Sequence, residues 1–248
     1  MHVLVTGAGS GIGQATALLL RERGHTVLAT DLRESSLAPV ADAGARIVTT
    51  DLSEPDGRAR LLAALDDGPA PTGLVNAAGR LIVRPIAEVS VDDFRSVFAT
   101  NAESTFFLCQ AMDARMREGG SIVNFSSPSA KFVATTEAAV YAATKAAISQ
   151  ITRSFAMAYA NRPAGPIRVN ALSPGITDTP MQSGVLDEVS RSRGIAREEL
   201  ERARLTTVPM RRTALPVEMA GWVLWLLSDE ARYMTGQVLN VDGGMVMW

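Results

Sequence analysis

Short β-rich runs alternate with longer helical patterns from the first residues of this sequence to the last, and few architectures accommodate that beat. It opens with His2–Thr6, a helical stretch Ile12–Arg23 and a second run Thr26–Thr30, with Gly24 placed to end the helix. It continues through Arg46–Thr49, a helix after Pro55, Gly73–Asn76, a long helix from about Val91 to Glu118, and Ser121–Ser126. A helix from about Ala139 to Ala160, a strand at Ile167–Ala171, a helix Pro216–Ser228 and a last strand Gln237–Val241 complete the series. Runs such as Ser121-Ile122-Val123-Asn124-Phe125 are apolar almost throughout. That suits a parallel strand covered on both faces by crossover helices. The expected fold is α/β, a doubly wound parallel sheet of about seven strands with helices on both faces.

Directly after the first strand stands Thr6-Gly7-Ala8-Gly9-Ser10-Gly11-Ile12-Gly13. Glycines there let the backbone approach a pyrophosphate at the N-terminus of the next helix, which makes the sheet Rossmann-type. The spacing Gly7-xxx-Gly11-x-Gly13 is a variant distinct from G-x-G-x-x-G, because Ile12 occupies the place of that pattern's third glycine. A strand before and a helix after distinguish it from a flexible turn. At the end of the second strand, Asp31 can accept hydrogen bonds from both hydroxyls of an adenosine ribose. The same carboxylate repels a 2′-phosphate by an amount on the order of a few kcal/mol, which favours NAD over NADP. Arg33 is the nearest side chain able to hold a phosphate instead.

A chain of 248 residues is a length that α/β folds use as one domain, and no repeat or Pro/Gly-rich linker divides it. Residues 1–248 therefore read as a single dinucleotide-binding and catalytic domain. The exception to compact alternation is residues 178–210, polar and Arg-rich between the last two strands, which reads as a lid over the substrate. A net charge of −2, without a basic stripe, argues against nucleic acid as a partner. Cys109 is the only cysteine, so no intrachain disulfide or thiolate metal cluster is expected, no metal site is assigned, and a reducing cytoplasm fits. No export signal develops at the N-terminus, and the longest apolar stretch, Gly221–Leu227, falls short of the ~20 residues of a membrane span.

Tyr141 and Lys145, four residues apart in a helical pattern, share one face. A phenol is a poor base at neutral pH, and a cation within about 4–6 Å is expected to pull it toward the working range. Together with the glycine turn, Asn76-Ala77-Ala78-Gly79, Tyr141-Ala142-Ala143-Thr144-Lys145 and Pro174-Gly175 resemble, in order and over essentially the whole chain, the short-chain dehydrogenase/reductase family. The resemblance implies that Gly7, Ser10, Gly11, Ile12 and Gly13 hold the pyrophosphate, that Asp31 and Leu32 meet the adenosine, and that Asp51 and Leu52 border the adenine. It places Asn76, Ala77, Ala78 and Gly79 beside the cofactor, and Pro174, Gly175, Ile176, Thr177 and Thr179 in contact toward the nicotinamide end. Val241-Asp242-Gly243-Gly244 resembles the family's closing strand and turn.

The resemblance also implies a serine from the strand before the Tyr141 helix. Ser127 is assigned, Ser126 points to the opposite side by strand alternation, and Ser129 is the weaker rival. The Ser127–Tyr141 interval is one residue longer than is usual in the family. Asn101 stands where the family carries a structural water linking the lysine to solvent. The implied activity is an NAD-dependent oxidoreductase that transfers a hydride between nicotinamide and a small-molecule secondary alcohol or ketone. Tyr141 takes the proton, Ser127 holds the oxygen, and Lys145 also binds the nicotinamide ribose. Alternatives are an NADP-dependent 3-oxoacyl-thioester (acyl carrier protein) reductase and, from another class, a non-catalytic NAD-binding sensor.

Substrate choice falls to Arg80–Arg84, Pro128–Val133 and the lid. Lys131, Arg84 and the lid arginines can meet an acidic substrate. However, Arg191, Arg193, Arg197, Arg202 and Arg204 interleave with Glu198, Glu199 and Glu201 as on a solvated helix, and that is the preferred reading. Met181, Val185 and Leu186 are expected to close an apolar pocket. Family members form tetramers through the helices near 91–118 and 139–160 and the last strand, so a homotetramer is expected, with the apolar Met245-Val246-Met247-Trp248 buried against a neighbour.

Overall fold

The computed structural model describes residues 1–248. β1 (His2–Thr6), α1 (Gly11–Glu22), β2 (Thr26–Asp31), α2 (Glu34–Asp42), β3 (Arg46–Thr49), α3 (Pro55–Asp66) and β4 (Gly73–Asn76) form the first half. After α4 (Val91–Phe98), a π-helical turn (Ala99–Glu103) and α5 (Ser104–Arg115) come β5 (Gly120–Phe125), α6 (Ala139–Tyr159) and β6 (Ile167–Pro174). Then α7 (Pro180–Arg193), α8 (Arg197–Leu205) and α9 (Pro216–Leu227) precede β7 (Val238–Val241). The seven strands form one sheet in the order β3-β2-β1-β4-β5-β6-β7, and every pairing is parallel.

The side-chain period of two explains why the strands are apolar on both faces. Val3 and Val5 of β1 pack into a core with Ala17 and Leu20 of α1, Leu37 of α2 and Val223 and Leu226 of α9. Leu4, between them, packs into a second core with Leu61 of α3, Met112 of α5 and Phe155 of α6. Each fully buried leucine contributes roughly 1.5–3 kcal/mol of transfer free energy, so both layers hold the sheet. Strand order reverses between β1 and β4, which opens a crevice beyond the carboxyl ends of the strands.

Three expected element boundaries are corrected. The long helix proposed to Glu118 ends at Arg115 and is interrupted by the π turn, where one extra residue enters the helical ladder. α2 goes unanticipated because only Leu37 and Val40 are buried and Pro39 lies inside it. β5 stops at Phe125, before Ser126, whereas β6 extends beyond Ala171 to Pro174. The polar segment 178–210 carries α7 and α8, in keeping with the helical spacing of its charges, and Gly194, with φ of 64°, ends α7.

Candidate active site

The loops after β1, β2, β3, β4, β5 and β6, together with α7 and α8, enclose a cleft of about 730 Å³. Its first half is built by the glycine turn. Gly7 has φ +63°, and a Cβ there would lie 2.6 Å from Ala78 N, so the turn rests directly on the backbone after β4. A Cβ on Gly13 would lie 2.2 Å from Gly7 O, so α1 starts flush against the turn. Ser10 is the extended N-cap of α1 and makes no side-chain cap bond, which leaves the first-turn N–H groups available to an anion. Gly9 N donates to Asp31 Oδ2 at 2.9 Å and Leu32 N donates to Oδ1 at 2.8 Å, which fixes the carboxylate. Each carboxylate oxygen keeps a further lone pair for a ribose hydroxyl. Asp51 is held by the Ser53 N–H and hydroxyl at 2.9 and 2.7 Å. An uncapped helix start, a backbone-fixed carboxylate and glycines packed against backbone fit a dinucleotide's pyrophosphate and adenosine ribose.

The second half centres on Tyr141 and Lys145, which α6 presents on one face. Lys145 Nζ donates to Phe125 O at 2.7 Å and lies 5.4 Å from the Tyr141 ring centroid. Ser127, just past β5, caps a short 3₁₀ turn, its Oγ accepting from Ser129 N at 3.2 Å. The Ser126 hydroxyl points away, bonded to Lys145 O and Ser149 Oγ, and pins β5 to α6. Alternation thus places Ser127 beside the phenol. Between Ser127 and Tyr141 lie two 3₁₀ turns, Pro128–Ala130 and Thr136–Ala138.

The expectation that Lys145 draws the phenol into the neutral range is corrected. Burial pushes the Tyr141 phenol up to about 12, opposed by the Ser127 hydroxyl placed to hydrogen-bond it. Burial also brings the Lys145 ammonium down to about 8. Taking a phenolate out of water costs more than a cation over the ring face returns, because that cation is itself desolvated and directed at a carbonyl. Tyr141 is therefore set as a proton donor near neutral pH.

Asn101 is fully buried in the π turn. Its amide donates to Arg80 O at 2.9 Å and to Thr144 Oγ1 at 3.0 Å, and accepts from Arg80 N at 2.7 Å. The side chain thus ties the loop after β4 to α6 and positions both. Asn76 departs from the expectation. Its side chain turns toward α5 and α6, donating to Asn124 Oδ1 at 2.8 Å and to Cys109 Sγ, and it does not line the cleft. Ala77, Ala78 and Gly79 line the cleft in its place.

The family model described as enoyl-(acyl carrier protein) reductase matches residues 7–246. The cis-4-hydroxycyclohexanecarboxylate dehydrogenase of Sinomonas cyclohexanicum is 36% identical, over 97% of this chain and 94% of that one. Among solved structures, an actinorhodin polyketide ketoreductase variant with NADPH superimposes with a TM-score of 0.89 at 31% identity, covering 98% of this chain and 96% of the other. A putative NAD(P)-dependent gluconate 5-dehydrogenase from Beutenbergia cavernae with bound NADP gives 0.84 at 33%, with 98% and 96% covered. The chain belongs to the short-chain dehydrogenase/reductase family. It is an oxidoreductase of alcohol or ketone-type substrates that depends on a nicotinamide cofactor.

Within this short-chain dehydrogenase/reductase cleft the structure brings together every sequence-expected site residue except Asn76 and Asn101. The substrate side is walled by Leu81, Val83, Phe132, Met181, Val185 and Leu186. Thr50, Glu137, Gln182 and Leu200 also line the cleft and went unidentified in the sequence. The strand-end position of Thr50 next to Asp51 was the available signal for one of them. Lys131 and Arg84, considered for an acidic substrate, do not line it: Lys131 Nζ donates to Asn240 Oδ1 and Trp248 O, and Arg84 pairs with Asp93 at 2.9 Å. Arg193 and Arg204 do line it, contrary to a purely solvated reading of the lid arginines.

Proposed function

We propose that this protein is an NAD-dependent dehydrogenase that interconverts a secondary alcohol and its ketone. The carrying observation is convergence: a phenol, a buried ammonium and a serine hydroxyl line a cleft whose other half is a dinucleotide cradle. When bound, the nicotinamide would supply the hydride donor or acceptor. In the reducing direction Tyr141 gives its proton to the carbonyl oxygen that the Ser127 hydroxyl orients. Lys145 would support the charge left on the phenol and, with a cofactor bound, would hold the nicotinamide ribose. Oxidation reverses these steps, with Tyr141 receiving the alcohol proton.

Asp31 supports NAD, since its fixed carboxylate would face a 2′-phosphate, and Arg33 does not line the cleft. Two solved relatives hold NADPH or NADP, which favours a second reading as an NADP-dependent ketoreductase. The molecule in the Sinomonas relative's name is a ring bearing a secondary alcohol, and the apolar substrate wall here suits such a body. We also propose residues 178–210 as the lid. Thr179, the N-cap of α7, stands 3.0 Å from where a Gly11 Cβ would be, and Arg193 pairs with Glu137 across the cleft. A cytoplasmic homotetramer completes the proposal.

Turnover followed by NADH absorbance against alcohols and ketones tests it. Tyr141→Phe is expected to cut kcat by roughly 10²–10⁴-fold while NADH binding, read by fluorescence, barely changes. Retained turnover rejects the assignment. A kcat/KM higher with NADP than with NAD transfers support to the second reading.

A further inference from the structure

The charged groups that line the cleft are almost all engaged. Asp31 is held by backbone N–H groups and Asp51 by Ser53. Glu137 and Arg193 pair with each other at 2.5 Å, and Lys145 is directed at Phe125 O beside the phenol. Of the other lid arginines, Arg191 pairs with Glu188 and Arg197 with Asp187. Arg204 differs. Its Nη1 donates to the neutral Gln182 Oε1 at 3.1 Å, its Nε is buried with no partner, and no carboxylate makes an ion pair with it. Glu201 and Asp178 act on it only at longer range and Arg197 opposes them, while burial dominates and lowers its pKa.

A guanidinium loses hydration when half-buried, and an N–H left without an acceptor adds an unrecovered penalty. An oxyanion arriving from the cleft would recover both, because Nε and a terminal nitrogen form the fork that matches a carboxylate. The neighbouring wall is apolar: Leu200 and Ala203 on α8, Val185, Leu186 and Val189 on α7. A charge pair formed there is weakly screened. We infer that Arg204 recognises an anionic oxygen group of the molecule held in the cleft, and that this group is a carboxylate of the substrate, making the substrate a hydroxy acid or oxo acid with an apolar body. This inference rests on the dehydrogenase reading of the same cleft. The pyrophosphate of a cofactor is the other source of such oxygens, but the uncapped start of α1 already serves it. On the substrate side Arg204 is the cation without an ionic partner, its guanidinium held only by the neutral Gln182 amide oxygen.

Calorimetric titration of the whole protein with benzoate, benzamide and ADP, with and without NADH, separates these sources. The wild type is expected to bind benzoate more tightly than benzamide. Arg204→Leu should weaken benzoate by roughly 10- to 100-fold and leave benzamide and ADP unchanged, with Arg204→Lys recovering part of the loss. If Arg204→Leu weakens ADP and not benzoate, the oxyanion belongs to the cofactor and the substrate assignment is overturned. Equal binding of benzoate and benzamide by the wild type, or no effect of Arg204→Leu on any probe, overturns the inference entirely. Should Arg204→Leu not fold, judged by its thermal melt, Arg204→Gln carries the same comparison. Failure of the dehydrogenase reading registers separately, as no NADH turnover with any alcohol or ketone, whatever the benzoate result.

Discussion

Lys145 keeps its ammonium almost out of contact with water, and that burial has a thermodynamic signature apart from catalysis. Its pKa falls from 10.5 to about 8 on burial, so between those values the unfolded chain holds a proton that the folded protein does not. Stability contributed by this group therefore rises with pH across that window. Below about 8 the folded protein carries the buried charge at a cost on the order of 3 kcal/mol, offset in part by the bond to Phe125 O. Lys145→Met removes the charge and keeps the length of the side chain. We predict that it abolishes turnover while its stability relative to wild type is greatest near pH 7 and declines as pH approaches 10. Urea denaturation at several pH values measures that gap, and a gap independent of pH would show that the ammonium is not desolvated. The window closes above pH 10, where Tyr141 and Tyr159, held up to about 12 by burial, act in the opposite sense because the unfolded chain loses protons the folded one keeps.

At the scale of elements, the π turn between α4 and α5 delivers the Asn101 amide to the loop after β4 and to α6 at once. Thr144, which accepts from Asn101, donates to Tyr141 O at 2.7 Å, so the turn braces the first turns of α6 that carry the phenol. Asn101→Ala would remove the partner of the part-buried Arg80 N–H and carbonyl and the donor to the buried Thr144 hydroxyl, which keeps its bond to Tyr141 O, at about 1–3 kcal/mol for each group left unpaired. A drop of at least about 2 kcal/mol in denaturation free energy, with a fall in kcat, is the expected outcome. Unchanged stability would mean that water replaces the amide freely. The periodicity of the sequence marks α4, α5 and α6 as helices but carries no sign of one added residue, so the π turn was illegible while Asn101 itself was found by resemblance. Strand alternation made legible only that Ser126 and Ser127 face opposite sides, and the choice of Ser127 came from the resemblance. The same rule applied to β4 points Asn76 away from the cleft, since Leu74, two residues earlier, belongs to the core beneath α3, α5 and α6. Arg204 was not separable from its solvated neighbours, because spacing along α8 says nothing about which guanidinium lacks a carboxylate.

At the scale of the whole molecule, the order of the sheet follows from alternation and apolar strands, whereas assembly depends on what the outer faces leave uncovered. Phe106 and Phe107 on α5 are 39% and 43% exposed, and Met157 on α6 is 84% exposed. Phe106 stacks edge-on against Phe155 of α6, so α5 and α6 present a joint apolar face. Trp222 on α9 and Met247 beyond β7 expose further large apolar surface on other elements. Val246 is buried within the chain, and Trp248 O is bound by Lys131 and Asn240, so the last residues are anchored on the chain itself. Apolar faces of this size on a folded chain mark interaction surfaces, and symmetric closure pairs each face with its own copy. The proposed homotetramer would need two such self-complementary faces, and light scattering should then report four times the chain mass. Placing Glu at both Phe106 and Met157 would set like charges against each other across an α5–α6 contact and leave Trp222 and Met247 unchanged. The expected product is a dimer rather than a monomer. A wild-type monomer at micromolar concentration would refute the assembly, and a tetramer that survives the double substitution would move the contact away from α5 and α6.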